Sequence, residues 1–174
     1  MRYRRADVGG ATYFITANLA ERRLTLLTDH VDALREAVRR VKARHPFDID
    51  AMVVLPDHLH LLMTLPAGDA DFSTRIGAIK STFSRQLPKT ERIRDSRIRK
   101  RERGIWQRRF WEHMIRDDRD YAAHVDYIHI NPVKHGYVAR ASEWPHSSIH
   151  RYIANGVVDA EWASSVEEGE FGED

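Results

Sequence analysis

The tightest constraint on this chain is an interrupted alternation between Phe47 and Leu65. Phe47, Ile49, Ala51, Val53 and Leu55 recur at every second residue as far as Pro56, which has no N–H with which to continue a central ladder. The alternation resumes at once. Leu59, Leu61, Met63 and Leu65 fall on one face of a strand, and His58, His60, Leu62 and Thr64 on the other. The pattern predicts two strands hairpinned through Pro56-Asp57, in a sheet with one wholly apolar face and one face broken by two histidines.

The remaining elements follow by the same reasoning. Thr12 to Leu19, rich in β-branched and aromatic residues between Gly9-Gly10 and Glu21-Arg22-Arg23, reads as a first strand. Val31, Leu34, Val38 and Val41 recur at helical spacing after a Thr28-Asp29 cap. Ser73 is placed to cap a second helix through Ile76, Ile79, Phe83 and Leu87, ending at Pro88. Trp106 to Ile115 suits a fourth strand. Asp117 or Asp118 caps a third helix through Tyr121, Val125 and Ile128, and Pro132 disfavours helical geometry at Asn131. The order β-α-β-β-α-β plus a helix predicts an α+β, ferredoxin-like split βαβ fold. Its antiparallel four-stranded sheet would carry helices on one face and a further C-terminal helix.

Composition sets the frame around this fold. A chain of 174 residues, 42% hydrophobic, suits a single domain, expected over 1–156. Residues 157–174, with seven acids and no base, read as a flexible acidic tail. The absence of cysteine excludes disulfides, thiolate metal sites and cysteine nucleophiles, and predicts a reducing, cytoplasmic setting. The start Met1 to Arg5 leads into no apolar h-region, and no apolar run approaches the roughly 20 residues that span a bilayer. The net charge of +2 conceals a segment from Lys89 to Arg109 with ten basic and three acidic residues. A run of that density, interleaved with Ile93, Ile98, Ile105 and Trp106, is suited to phosphate backbones, although it also serves as plain solvated surface.

Three positions are candidates for chemistry. Histidines at i and i+2 on a strand project from one face roughly 7 Å apart, so His58 and His60 can reach one cation, or can simply be an exposed polar pair. Asn131 adds an oxygen suited to a hard ion such as Mg2+ or Mn2+, although Asn-Pro is also a common helix stop. Tyr127 lies one helical turn before Asn131, so a cation at Asn131 would sit beside its hydroxyl; a core or rim tyrosine is the plain alternative.

Leu55-Pro56-Asp57-His58-Leu59-His60-Leu61-Leu62, followed by Val125-Asp126-Tyr127-Ile128-His129-Ile130-Asn131-Pro132-Val133-Lys134-His135-Gly136, closely resembles the REP-associated tyrosine transposases. Gly9-Gly10, Arg109-Phe110-Trp111-Glu112-His113 and Trp144-Pro145-His146-Ser147-Ser148 extend the resemblance to most of the chain. It implies an HUH nuclease, a magnesium- or manganese-dependent endonuclease and strand transferase acting on single-stranded DNA with palindromic hairpins through a 5′-phosphotyrosine intermediate. His58 and His60 are then metal ligands, Tyr127 the nucleophile and Asn131 the third ligand, with Tyr121 a rival nucleophile on the same helix. The basic stretch from Lys89 to Arg103 is longer than the family pattern.

His124, one turn before Tyr127, is a candidate proton acceptor. Arg2, Arg4, Arg5, Arg99, Lys100, Arg101, Arg108 and Arg109 are candidate DNA contacts, with aromatics available to stack unpaired bases. The expected enzyme is a cytoplasmic monomer, on the nucleoid when DNA-bound. Two other classes fit the same residues: a non-catalytic nucleic-acid-binding module, and a metal-dependent hydrolase that activates water and leaves Tyr127 idle.

Overall fold

A computed structural model describes residues 9–89, 95–98 and 103–162. In chain order the elements are β1 (Thr12–Asn18), α1 (Leu26–Asp29), α2 (Val31–Arg44), β2 (Asp48–Val54), β3 (His58–Thr64), α3 (Phe72–Gln86), α4 (Asp95–Ile98), β4 (Trp111–Met114) and α5 (Asp118–Lys134). A 3-10 turn at Ala141–Glu143 and α6 (Ile149–Ala154) follow. The four strands are antiparallel in the order β2-β3-β1-β4, the split βαβ arrangement that the sequence pattern predicts.

Strand alternation sorts the side chains into two layers. Tyr13, Ile15 and Ala17 of β1 join Leu59, Leu61 and Met63 of β3 against Leu34, Val38 and Val41 of α2 and Ile76, Ile79 and Phe83 of α3. On the opposite face Phe14, Ala51, Val53 and Leu62 pack against Val125, Tyr127 and Ile128 of α5. The sheet is therefore covered on both sides, and the two histidines lie under α5 rather than in solvent, at 4% and 1% exposure. Gly9 is needed at the entry to β1, because a Cβ there would stand 2.8 Å from the Gly68 backbone.

Several local expectations are corrected. Thr28-Asp29 lies within the short α1, and α2 begins after His30 with no side-chain cap. Asp71, not Ser73, caps α3 by accepting from the Thr74 N–H at 2.9 Å. The fourth strand is confined to Trp111–Met114, and Trp106 makes only an isolated bridge with Leu19. The largest correction concerns Pro132, which lies inside α5 rather than ending it. Proline removes one N–H and crowds the carbonyl four residues before it, but the residues after it still make their helical bonds, as His135 N–H does to Asn131 O at 3.0 Å. The helix therefore continues until Gly136, at φ +73°, closes it with Gly136 N–H to Val133 O and Tyr137 N–H to Pro132 O, both 2.9 Å.

The edge of β2 is covered by the segment before α6. Val54 N–H donates to His146 O and Ser148 N–H to Met52 O, while Trp144 Nε1 donates to Val54 O. This strap hides backbone groups that would otherwise offer an open sheet edge. Beyond α6, Val158 and Trp162, within the stretch expected as tail, pack near Ala141 and Ile149. Residues 163–174 lie outside the described residues.

Candidate active site

The site grows from the β2–β3 turn and the last two turns of α5. The turn is pinned by Leu19 N–H to Asp57 O at 2.8 Å and Leu27 N–H to Pro56 O at 3.1 Å, which sets where β3 and its first residue, His58, begin. His58 Nδ1 meets Asp57 Oδ1 at 2.7 Å, and the Arg22 guanidinium pairs with the other carboxylate oxygen. Burial opposes charge on Asp57, but these bonds from His58 and Arg22 outweigh it and hold the carboxyl below its usual range. His60 Nδ1 meets Thr16 Oγ1 at 2.8 Å across the β1–β3 pairing. In both rings a partner at Nδ1 leaves Nε2 for a ligand, the arrangement that outer partners impose on metal-binding histidines.

Burial, and then the neighbouring His58, His135 and Lys134, hold His60 well below the ordinary histidine range. It is a neutral imidazole near pH 7, the form that binds cations. His60 Nε2 is buried and has no hydrogen-bond partner, and the same holds for both Oδ1 and Nδ2 of Asn131. Leaving a buried polar atom unmade costs about 1–3 kcal/mol, so three such atoms fit a site shaped for a cation and a polar ligand.

Helix α5 lies over this pair. The Tyr127 ring is 5.2 Å from the His60 ring, and the His135 ring is 5.2 Å from the His58 ring. Tyr127, Asn131 and His135 are spaced i, i+4 and i+8, so they form one helical stripe whose two ends rest on the two histidines. Asn131 lies between those ends. The Lys134 ammonium stands 5.0 Å from the centre of the Tyr127 ring. Tyr121 packs against the same apolar layer as Tyr127, but its phenol is hydrogen-bonded with Tyr152 and Asp50, and burial pushes it above the usual range.

A second cluster lies at the start of α5. His113, Asp120 and His124 bring their ligand-type atoms within 4.8 Å of one another. The carboxylate there is already a hydrogen-bond hub. Asp120 Oδ2 accepts from His113 Nε2 at 2.8 Å, Arg116 N–H at 2.9 Å and Arg116 Nε at 3.2 Å, and Oδ1 faces His124 Nδ1 at 3.1 Å. Burial works against its charge, yet the bonds from His113 and Arg116 hold Asp120 down at about 2. His124, considered as a proton acceptor for Tyr127, is thus engaged with Asp120, and its ring lies 4.7 Å from that of Phe14 with 51° between planes.

Of the expected DNA contacts, Arg108 and Arg109 are exposed, and Arg2, Arg4, Arg5, Arg99, Lys100 and Arg101 lie outside the described residues. Arg103, counted in the same basic run, has a structural task, binding Leu87 O at 2.8 Å and Pro88 O at 2.6 Å at the end of α3. Sequence reasoning missed Thr16, Asp57 and His135 as neighbours of the histidines. Only Asp57, adjacent to His58 in a turn, carried a signal that could have found it.

The model of the family described as "Transposase IS200 like" matches residues 8–131, which span the sheet, both histidines, Tyr127 and Asn131. The chain belongs to the IS200-like transposase family. Membership makes it an enzyme of DNA cleavage and strand transfer. This transposase is 46% identical over 171 residues to the REP-associated tyrosine transposase of Escherichia coli K12, covering 98% of this chain and 96% of that one. A Haemophilus influenzae relative is 46% identical over 164 residues, covering 94% and 93% of the two chains. Among solved structures, a REP-associated tyrosine transposase bound to a REP hairpin matches with a TM-score of 0.84 and 45% identity, over 100% of this chain and 98% of that one. No helix among the described residues is long and apolar enough to cross a membrane.

Proposed function

We propose that this transposase cuts and rejoins single-stranded DNA beside the hairpins of repetitive extragenic palindromes, with Tyr127 as nucleophile and His58, His60 and Asn131 holding Mg2+ or Mn2+. The observation that carries this reading is the Tyr127 ring seated 5.2 Å from the His60 ring, whose Nε2 is buried without a partner. A divalent cation bound by these three side chains supplies a Lewis acid for the oxygens of the scissile phosphate. The hard oxygen of Asn131 and the imidazole nitrogens of His58 and His60 suit such an ion.

Tyr127 Oη attacks phosphorus, forming a phosphotyrosine ester at the 5′ end as the bond to the 3′ oxygen breaks. The phenolic proton passes to solvent, and the 3′ oxygen leaves as a hydroxyl. Lys134 places positive charge over the phenol ring, which stabilises the negative charge that the phenolic oxygen carries as its proton leaves. Because the ester bond persists in the adduct, a 3′-hydroxyl can reverse the attack, so the chemistry rejoins strands instead of hydrolysing them. Both histidines and the tyrosine come from one chain, which supports a monomer as the cutting unit. The exposed Arg108 and Arg109, with Arg2, Arg4, Arg5, Arg99, Lys100 and Arg101, supply phosphate contacts that set register but not sequence.

The test incubates the protein with a single-stranded palindromic oligonucleotide and Mn2+ or Mg2+, followed by a denaturing gel. A protein-sized shift of the cut DNA is expected with the wild type and not with Tyr127→Phe. Cutting by both proteins without an adduct would replace this reading with a water-activating hydrolase, and binding without cutting would reduce it to a binding module.

A further inference from the structure

Trp111 is 47% exposed on β4, an edge strand of the sheet. An isolated exposed tryptophan is unremarkable on a surface. This one is the outer end of a built stack. Its ring lies 6.0 Å from that of His113 with 9° between planes, and His113 lies 4.8 Å from His124 with 17° between planes. Both histidines are held by Asp120, its carboxylate 2.8 Å from His113 Nε2 and its backbone carbonyl 2.8 Å from His124 Nδ1. The stack is therefore fixed to the first turn of α5, the helix that carries Tyr127.

Strand register gives Trp111 its place relative to the reaction. Thr16 of β1 is paired with His60 on one side and with Trp111 on the other, so all three side chains stand in one row on one face. Two strand spacings, roughly 10 Å, separate Trp111 from His60. Phe14, 5.6 Å from Trp111, 5.4 Å from His60 and 5.8 Å from Tyr127, stands beside that row on the same face. An unpaired strand whose phosphate lies at His60 and Tyr127 has a neighbouring base within reach of the indole.

We infer that Trp111, backed by the His113–His124 stack, is a stacking subsite for one unpaired nucleobase next to the scissile phosphate. The inference rests on the proposed cutting of single-stranded DNA, and it adds the surface that holds the base beside the cut. A rigid indole offers a large π-face at small entropic cost and accepts any base, so the subsite contributes positioning without reading sequence. Fixing the adjacent base limits rotation of the phosphate before in-line attack.

The test uses single-stranded oligonucleotides that carry a palindromic hairpin, with 2-aminopurine placed in turn at each unpaired flanking position. Stacking quenches the fluorescence of that base. One position is expected to be quenched by the wild type and by Trp111→Phe, and to recover towards the free signal with Trp111→Ala and Trp111→Leu. Removal of one stacked base contact corresponds to roughly a 5- to 140-fold loss of affinity. Trp111→Ala should show that loss with the intact oligonucleotide and none with one that is abasic at the same position. Quenching that persists in both the Ala and Leu variants, or that is lost instead in Tyr137→Ala, which removes an exposed ring 6.1 Å from that of His135, overturns the subsite. So does an equal loss on intact and abasic DNA. Circular dichroism of each variant separates a lost platform from a lost fold, with the Phe variant as the folded reference. Adduct formation on the same oligonucleotides tests Tyr127 separately: an adduct with an unquenched probe sinks the subsite alone, and quenching without an adduct supports the subsite while sinking the nucleophile.

Discussion

The two faces of β3 come from alternate residues of seven, yet they are built on opposite terms. Towards α2 and α3, Leu59, Leu61 and Met63 belong to a cluster of buried apolar side chains. Towards α5, His58 and His60 are as deeply buried as the leucines, but the layer also encloses Asn131 and keeps polar atoms without partners. A face selected for stability alone would not retain such atoms, since each costs about 1–3 kcal/mol. The contrast shows where stability has been given up for function: the scaffold is one face, and the candidate site is the other, covered by a helix instead of open to water.

The sharpest challenge to this division is Tyr127→Phe. It should abolish the covalent adduct and lower cleavage by at least about 10³-fold while shifting the unfolding free energy by less than about 1 kcal/mol. Gel assay and urea titration on one preparation check both halves, and retained cutting would move the nucleophile elsewhere. Next in size, Leu61→Ala on the apolar face should cost about 2–5 kcal/mol in urea, with cleavage per folded molecule unchanged. Loss of cleavage at full stability would mean that the scaffold face participates in the chemistry.

Asp120→Asn addresses the point where the helix of the candidate site is tied to β4. It should cost about 1–3 kcal/mol near pH 6 through the loss of bonds from His113 and Arg116. Asp120 in the fold is held at about 2, below its ordinary value of 3.8. A depressed carboxyl stabilises the fold above the unfolded value, and that contribution is lost as pH falls through the folded one. The wild type should therefore lose stability between pH 4 and 2 more steeply than the Asn variant, as followed by thermal melts; equal slopes would remove Asp120 from its role as hub. The smallest effect tests the polar face directly. Asn131→Leu should raise metal-free stability by about 1 kcal/mol and abolish the upward shift in melting temperature on adding Mn2+. A destabilised Leu variant would mean that Asn131 is satisfied in solution, and the contrast between faces would fail.

Much of this was legible in the residues. The interrupted alternation from Phe47 to Leu65 located the hairpin and assigned each side chain of β3 to the correct face, because a strand has a period of two whatever surrounds it. Spacing alone also put Tyr127 and Asn131 one turn apart. Boundaries were less legible where tertiary contacts compete with local preference. Ser73 was outcompeted by Asp71 as a cap, and Pro132 was absorbed because Gly136 closes the helix four residues later.

The sequence by itself determined the layers, the order of elements and the inventory of groups able to do chemistry, since these depend on periodicity and residue type. Only the tertiary structure decided that α5 covers the histidine face, that His135 and Thr16 adjoin the pair, and that Trp111 stands in the His60 row. Those relations join residues dozens of positions apart. They are set by strand register and helix docking, which depend on how whole surfaces pack and not on any local pattern.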